Sequence, residues 1–197
     1  MELQQFISPC HFGMEAILKR EIYDLGYDIV KVEDGRVTYE GDMETICRAN
    51  IHLRTTERVL LKVGEFHAET FDELFEAVKA IPWENYLPVT KASSVKSKLF
   101  SPSDIQSIVK KAIVERLKTY YEVNWFEETG ASYPLRVFLN KDEVTIGIDT
   151  SGESLHKRGY RVLSSKAPIT ETLAAAMILL TPWKADRILV DPFCGSG

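Results

Sequence analysis

The residues best suited to chemistry stand in the last stretch of the chain, Asp191-Pro192-Phe193-Cys194-Gly195-Ser196-Gly197. The apolar run Ile188-Leu189-Val190 precedes them, the layout of a buried parallel strand that delivers a ligand loop at its carboxyl end. Two glycines one residue apart let backbone approach a ligand more closely than any Cβ allows, and an Asp at a strand tip accepts hydrogen bonds from a cationic or hydroxylated ligand. A dinucleotide site uses similar physics, but its third glycine and later acidic residue would fall past residue 197. The plainer reading of Gly-Ser-Gly alone is a tight strand-to-helix turn with no ligand. Cys194 has no His or other base placed to activate it, so it is expected to be a small buried loop residue and not a nucleophile.

Anion binding is the second chemistry, and it is written in two basic stretches. Between Lys91 and Lys118 seven basic residues (Lys91, Lys96, Lys98, Lys110, Lys111, Arg116 and Lys118) stand against two acids, Asp104 and Glu115. On a helix Lys111 and Lys118 lie opposite the apolar stripe, whereas Arg116 falls on it and must snorkel or pair. Lys96 and Lys98 share one side of a strand. The other stretch, Leu155-His156-Lys157-Arg158-Gly159-Tyr160-Arg161 followed by Lys166, suits phosphate contacts plus one stacking surface for an unpaired base. Its cations can equally pair with carboxylates of a neighbouring domain; guanidinium groups beside an aromatic favour RNA. No carboxylate stands at a telling spacing from His156, which is expected to hydrogen-bond structurally. No Cys/His pattern of metal-ligand spacing occurs, and no metal site is expected.

These residues need elements to hold them. A chain of 197 residues with 45% hydrophobic and 27% charged content can build one large core or two small ones, which excludes disorder. A net charge of −5 argues against indiscriminate coating of nucleic acid, although a local basic face can still bind it. Three scattered cysteines, no basic leader and no apolar run long enough to span a bilayer predict a soluble cytoplasmic protein. In order, the patterns predict a strand over 3–8, a helix from Phe12 to Leu25 closed by Gly26, strands Asp28–Val32 and Arg36–Glu40 about an Asp-Gly turn, a helix from Met43 to Ala49 and a strand from Arg58 to Val63. That β-α-β-β-α-β order is ferredoxin-like. A second unit follows. It has a helix with a Thr70/Glu73 capping box ended by Pro82, a strand over Ser93–Phe100, and a longer helix opened by Ser103 and Gln106. A hairpin of Leu135–Leu139 and Val144–Asp149 with one wet face closes it. The Ala/Leu-rich helix Thr170–Leu180 and a strand Arg187–Val190 then read as the opening of an open α/β domain.

The heptapeptide from Asp191 to Gly197 resembles the S-adenosylmethionine loop of class I methyltransferases that modify exocyclic amino groups of nucleic-acid bases. The run from Asp149 to Arg161 resembles the end of a THUMP domain joined to its methyltransferase. The segments Ala49–Thr55, Ile81–Glu84 and Pro168–Ala175 are similar to other parts of the same family. The chain is thus identified with bacterial THUMP-domain RNA guanine-N2 methyltransferases that act on 23S rRNA or tRNA, over their N-terminal part only. The resemblance implies an α+β chain: a ferredoxin-like domain over 1–64, a THUMP RNA-binding domain over 65–161 whose profile can start near 43, and the first helix and strand of a truncated Rossmann-like catalytic domain over 162–197. It implies that Asp191, Phe193, Cys194, Gly195 and Gly197 line the S-adenosyl-L-methionine site. Lys96, Lys98, Lys111, Lys118, Lys157, Arg158, Tyr160 and Arg161 are the candidate contacts to structured RNA. The catalytic motif is expected past residue 197, so the chain as it stands is expected to be inactive. Two alternatives are a stand-alone, non-catalytic RNA-binding module and a DNA amino-methyltransferase; the THUMP-like stretch speaks against the second.

Overall fold

A computed structural model of the protein describes residues 3–87, 103–123, 133–159, 161 and 168–194. The chain divides into two compact units, one made of Met1–Val59 with Thr150–Gly197, the other of Leu60–Asp149. The expected strand Ser93–Phe100, with Lys91, Lys96 and Lys98, lies outside the described residues, as do Tyr160, Lys166, Gly195 and Gly197.

In the first unit strands β1 (Gln4–Pro9), β2 (Asp28–Glu33) and β3 (Arg36–Gly41) form an antiparallel meander in the order β2-β3-β1, with α1 (Glu15–Asp24) and α2 (Glu44–His52) between them in sequence. Alternation carries Phe6, Val37 and Tyr39 into the core, where α1 meets them with Leu18 and Ile22. Helix α1 stops where Gly26 takes φ +88°. Gly26 N donates to Tyr23 O at 2.9 Å and Tyr27 N to Ile22 O at 3.3 Å, a pair of bonds that uses up the last carbonyls. The Asp34-Gly35 turn sets Gly35 at φ +75°, and Arg36 forks onto Glu33 beside it at 2.8 and 2.9 Å. Helix α5 (Glu171–Leu180) belongs to this unit and packs against α1.

The second unit holds β4 (Leu60–His67), α3 (Phe71–Ala80), a 3-10 turn over Trp83–Asn85, α4 (Ser103–Tyr121), β5 (Leu135–Asn140) and β6 (Glu143–Asp149), with β6 paired antiparallel to both β4 and β5. The Thr70 capping box forms as expected: Glu73 N donates to Thr70 Oγ1 at 3.2 Å and Thr70 N to Glu73 Oε2 at 3.3 Å. After α3 the chain is pinned by Trp83, fully buried, whose Nε1 donates to Val78 O at 2.7 Å. The core face of α4 is Ile105, Val109, Ala112, Ile113 and Leu117.

Three expectations need correction. The strand placed at Arg58–Val63 is Leu60–His67, and it pairs with β6 in the second unit. The hairpin was expected to wet one face, but in β6 Thr145 and Asp149 are buried along with Val144, Ile146 and Ile148, so both faces of this central strand are covered. Residues Arg187–Val190 form no strand among the described residues, and Ile188 and Val190 are exposed: an isolated parallel strand has no ladder to satisfy its backbone.

A buried carboxylate ties α1 to the chain leaving α2. Glu21 is 5% exposed, and it accepts from Arg54 Nε at 2.8 Å, Thr55 N at 3.1 Å and Thr55 Oγ1 at 2.6 Å. Removing it leaves two buried donors without an acceptor. Glu21→Ala should therefore lose about 3 kcal/mol in urea-induced unfolding. A loss under about 1 kcal/mol would mean that water replaces the carboxylate.

Candidate nucleic-acid interface

Helix α4 sets Lys111 and Lys118 seven residues, two turns, apart on one side, with Lys110 adjacent. Ser107, Val114 and Glu115 complete a shallow groove of about 450 Å³ with these lysines. From α3 the Phe75 ring reaches the same place, with Lys79 Nζ at 5.6 Å and Lys111 Nζ at 5.7 Å from its centroid. Lys79 also bonds Glu115 at 2.8 Å, and that contact holds the exposed Glu115 carboxyl below its ordinary range. Arg116 points elsewhere. It forks onto Glu84 at 2.5 and 3.1 Å, which answers the need of a cation on the apolar side for a partner and depresses the Glu84 carboxyl. Phe75, Lys79 and Lys110 were not among the sequence candidates. Phe75 and Lys79 one turn apart are legible as a pair, but not that α4 would bring Lys111 to the other side of the ring.

The stretch from Thr150 to Arg161 is held from behind. Thr150 Oγ1 donates to Val59 O at 2.7 Å, Ser151 Oγ to Asn50 Oδ1 at 2.6 Å, and Arg58 Nη1 to Gly152 O at 2.7 Å. The Arg158 guanidinium covers the open end of α2: Nη1 donates to Asn50 O and Ile51 O at 3.1 Å each, and Nη2 donates to Leu53 O. Carbonyls in the last turn of a helix lack partners along the chain and favour a cation, so the fork fits them. Arg161 donates to Ile169 O at 2.9 Å and lies 3.6 Å from Glu171. Of the described cations in this stretch, Lys157 and Arg158 are both exposed, but the Arg158 guanidinium is committed to the carbonyls. His156 Nδ1 lies 3.2 Å from Glu57 Oε2, a partner 99 residues away that sequence spacing could not disclose.

At the far end of the first unit, Asp191 Oδ1 accepts from Phe193 N at 2.9 Å, closing a small side-chain turn. Phe193 is 92% exposed, and Cys194, expected to be buried, is exposed as well. The sequence signal for Cys194 was its size and setting, which do not report which neighbours surround the loop. Burial pushes the Cys10 thiol up to about 12, with Glu15 adding to it, so it is no nucleophile. Among the described residues no group of three or more His, Cys, Asp or Glu is arranged to hold a metal, and no helix is long and apolar enough to cross a membrane.

Comparison with known proteins places this geometry. Residues 5–60 match the model of the RlmL ferredoxin-like domain, residues 68–149 that of the THUMP domain, and residues 158–197 that of the RMKL-like methyltransferase domain. The fold is thus α+β, with a ferredoxin-like domain, a THUMP domain and part of a methyltransferase domain. A Bacillus subtilis (strain 168) protein named "Putative RNA methyltransferase YpsC" is 50% identical over 100% of this chain and 53% of its own length. The ribosomal RNA large subunit methyltransferase K/L of Syntrophotalea carbinolica is 32% identical over 98% of this chain and 28% of its own. Among solved structures SMU.472, crystallised in complex with SAH, is 41% identical with a TM-score of 0.87, over 99% of this chain and 53% of that one. The chain spans about half the length of the first of these relatives.

The Arg158 fork makes a checkable claim about which cations hold the fold. Arg158→Lys places one ammonium where three carbonyls need donors and should lose roughly 1 kcal/mol of stability, while Lys157→Ala leaves the melting temperature unchanged. Thermal unfolding followed by circular dichroism decides it; identical melting of Arg158→Lys and the parent would show that the fork does not secure α2.

Proposed function

We propose, on the premise that this chain belongs to the family of THUMP-domain methyltransferases, that it is the RNA-gripping part and catalytic entry of an RNA methyltransferase that forms N2-methylguanine in 23S rRNA or tRNA. The observation that supports RNA as the substrate most is the lysine face of α4 inside the THUMP segment, on a chain whose net charge is −5. Lys111 and Lys118, with Lys110 beside them, contact backbone phosphates, and Lys157 adds one from the first unit. Lys96, Lys98 and Tyr160 are assigned to the same task on the sequence alone. Ammonium groups on flexible stems suit this work, which asks for charge and not for a fixed fork. Arg158 and Arg161 contribute by holding the backbone from which Lys157 projects. The ribosomal reading draws on the name of the Syntrophotalea relative. An RNA substrate of this kind places the protein in the cytoplasm.

S-adenosylmethionine is the cofactor of this reading, and it supplies an electrophilic sulfonium methyl to the guanine amine. The residues present fit it: Asp191 closes the turn onto Phe193 N, and Phe193 and Cys194 are open to a ligand. Asp191, Phe193, Cys194, Gly195 and Gly197 would hold it. Asp191 fixes the start of the loop, and the glycines leave room for backbone N–H groups to reach the methionine part. In this reading the chain by itself is not expected to transfer methyl groups, a reaction that needs acceptors placed to hold a flipped base and draw on its amine hydrogens.

Binding of the chain to tRNA, to 23S rRNA fragments and to duplex DNA, titrated against salt, tests the proposal. Lys111→Ala, Lys118→Ala and Lys157→Ala should each weaken RNA binding and lower the salt slope by about one unit for every phosphate left without its ammonium. Preference for duplex DNA would favour a DNA amino-methyltransferase, and variants that bind RNA like the parent at every salt concentration would end the lysine-face reading. Incubating the RNA and S-adenosylmethionine with a protein of the relatives' length and mapping the product identifies the modified atom; modification at an adenine would overturn guanine-N2.

A further inference from the structure

Glu57 sits in the short link between α2 and Val59, and no motif marks it. Its carboxylate is nevertheless where three stretches of the first unit meet. Oε2 accepts from Ser154 Oγ at 2.9 Å and lies 3.2 Å from His156 Nδ1; Oε1 accepts from Thr172 Oγ1 at 3.1 Å and lies 3.6 Å from His11 Nε2. The backbone of the residue is fixed on both sides, with Glu57 N donating to Pro9 O at 3.1 Å and Leu155 N donating to Glu57 O at 2.9 Å. Thr172 stands in the first turn of α5 and is 2% exposed; its buried hydroxyl has the Glu57 carboxylate at 3.1 Å as its shorter acceptor, with Thr170 Oγ1 at 3.4 Å. A carboxylate at a helix start also meets the positive end of the helix dipole. The other end of α5 is caught from α1, where Arg20 Nη2 donates to Leu179 O at 2.8 Å.

Glu57 and Arg20 lie in the stretch that matches the ferredoxin-like domain, and α5 in the stretch that matches the methyltransferase domain. We infer that Glu57 is a positioning residue: with Arg20 as the second anchor, it mounts the first helix of the methyltransferase segment on the ferredoxin-like domain and so sets where the Asp191 loop stands. The inference rests on the proposed function only in taking that loop as the cofactor side. Hydroxyl donors make the mount work at neutral pH without any change of charge. Partial burial alone would raise the Glu57 carboxyl, but hydrogen bonds from Ser154, Thr172 and His156 hold it below its usual value. A carboxylate lowered in the folded state contributes above its unfolded pKa, and that contribution is lost as pH falls through the lowered value. Among the described residues the titratable groups facing it are His11, from the segment after β1, and His156, and from α5 the Thr172 hydroxyl bonds it. Release of the mount at low pH therefore follows protonation of the carboxylate itself.

Amide hydrogen exchange on the 197-residue chain tests this without RNA or cofactor, so its outcome is separate from that of the lysine-face experiment. Glu57→Ala should speed exchange of the α5 amides by about tenfold or more while β1 and β3 exchange as in the parent. Glu57→Gln keeps one acceptor oxygen and should give a smaller effect. Its α5 protection, corrected for intrinsic rate, should be flat across the acid range in which the parent loses protection. Thr172→Val, nearly isosteric, provides a variant that keeps the fold and should release α5 in part. Unchanged α5 exchange in Glu57→Ala and Thr172→Val would overturn the inference. So would equal acceleration in β1, β3 and α5, since Glu57 would then support the domain at large and mount nothing in particular.

Discussion

An oxygen withdrawn from water must be given donors, and the first unit is organised around two carboxylates that gather them, Glu21 buried and Glu57 partly so. Glu21 gathers the backbone and side chains of Arg54 and Thr55 against α1. Glu57, three residues beyond Arg54, gathers the returning chain at Ser154 and His156 and the start of α5. The link between α2 and the second unit is therefore the seam along which distant parts of the sequence are joined. Each acceptor costs several donors their hydration, and each is satisfied by more than one of them, the condition under which a buried polar group adds definition to a fold without weakening it.

The arginines and lysines are used differently. Arg20, Arg36, Arg116, Arg158 and Arg161 all donate to carboxylates or backbone carbonyls, whereas the lysines do both: Lys62 and Lys79 bond Glu65 and Glu115, while Lys110, Lys118 and Lys157 stand on the groove or in solvent. The planar guanidinium has five donors in a fixed fork and loses little freedom in filling a set of fixed acceptors; the ammonium is strongly hydrated and keeps its value as a mobile point charge. The charges from His156 to Arg161 are adjacent in sequence, but the guanidinium groups of Arg158 and Arg161 donate to backbone carbonyls.

What the sequence disclosed follows from the range of each interaction. The Thr70/Glu73 box, the Gly26 stop, the Asp34-Gly35 turn and the hairpin at Asn140–Glu143 depend on residues within a turn of one another, and their positions were readable to within a few residues. At the last of these Lys141 and Asp142 take φ +50° and +65°, the left-handed pair that a two-residue hairpin turn requires; a short Asp tolerates it, whereas Lys141 adopts it without that help. Arg116 was legible as a residue in need of a partner, but Glu84 as that partner was not. Glu57 and the His156 contact were invisible, because a carboxylate and an imidazole 99 positions apart leave no periodic trace. The burial of β6 on both faces was missed for a related reason: alternation reports the polarity of one strand, whereas burial depends on what distant residues pack over each face.

The way the chain leaves and re-enters the first unit connects these points. Residues 60–149 are an insertion between Val59 and Thr150, and its two ends are stitched together: Thr150 N donates to Val59 O at 3.0 Å and Val59 N donates to Ser151 Oγ at 2.8 Å. Closing a loop of that length once costs little more than closing a shorter one, so the inserted unit adds little entropic burden to the unit that carries it. The stitch also brings the segment after Thr150 back beside Glu57 within a few residues, before any other element intervenes. The inserted unit can then differ in size or surface without altering where α5 starts, because the contacts to α5 at Thr172 and Leu179 come from residues 57 and 20, both encoded before the insertion begins.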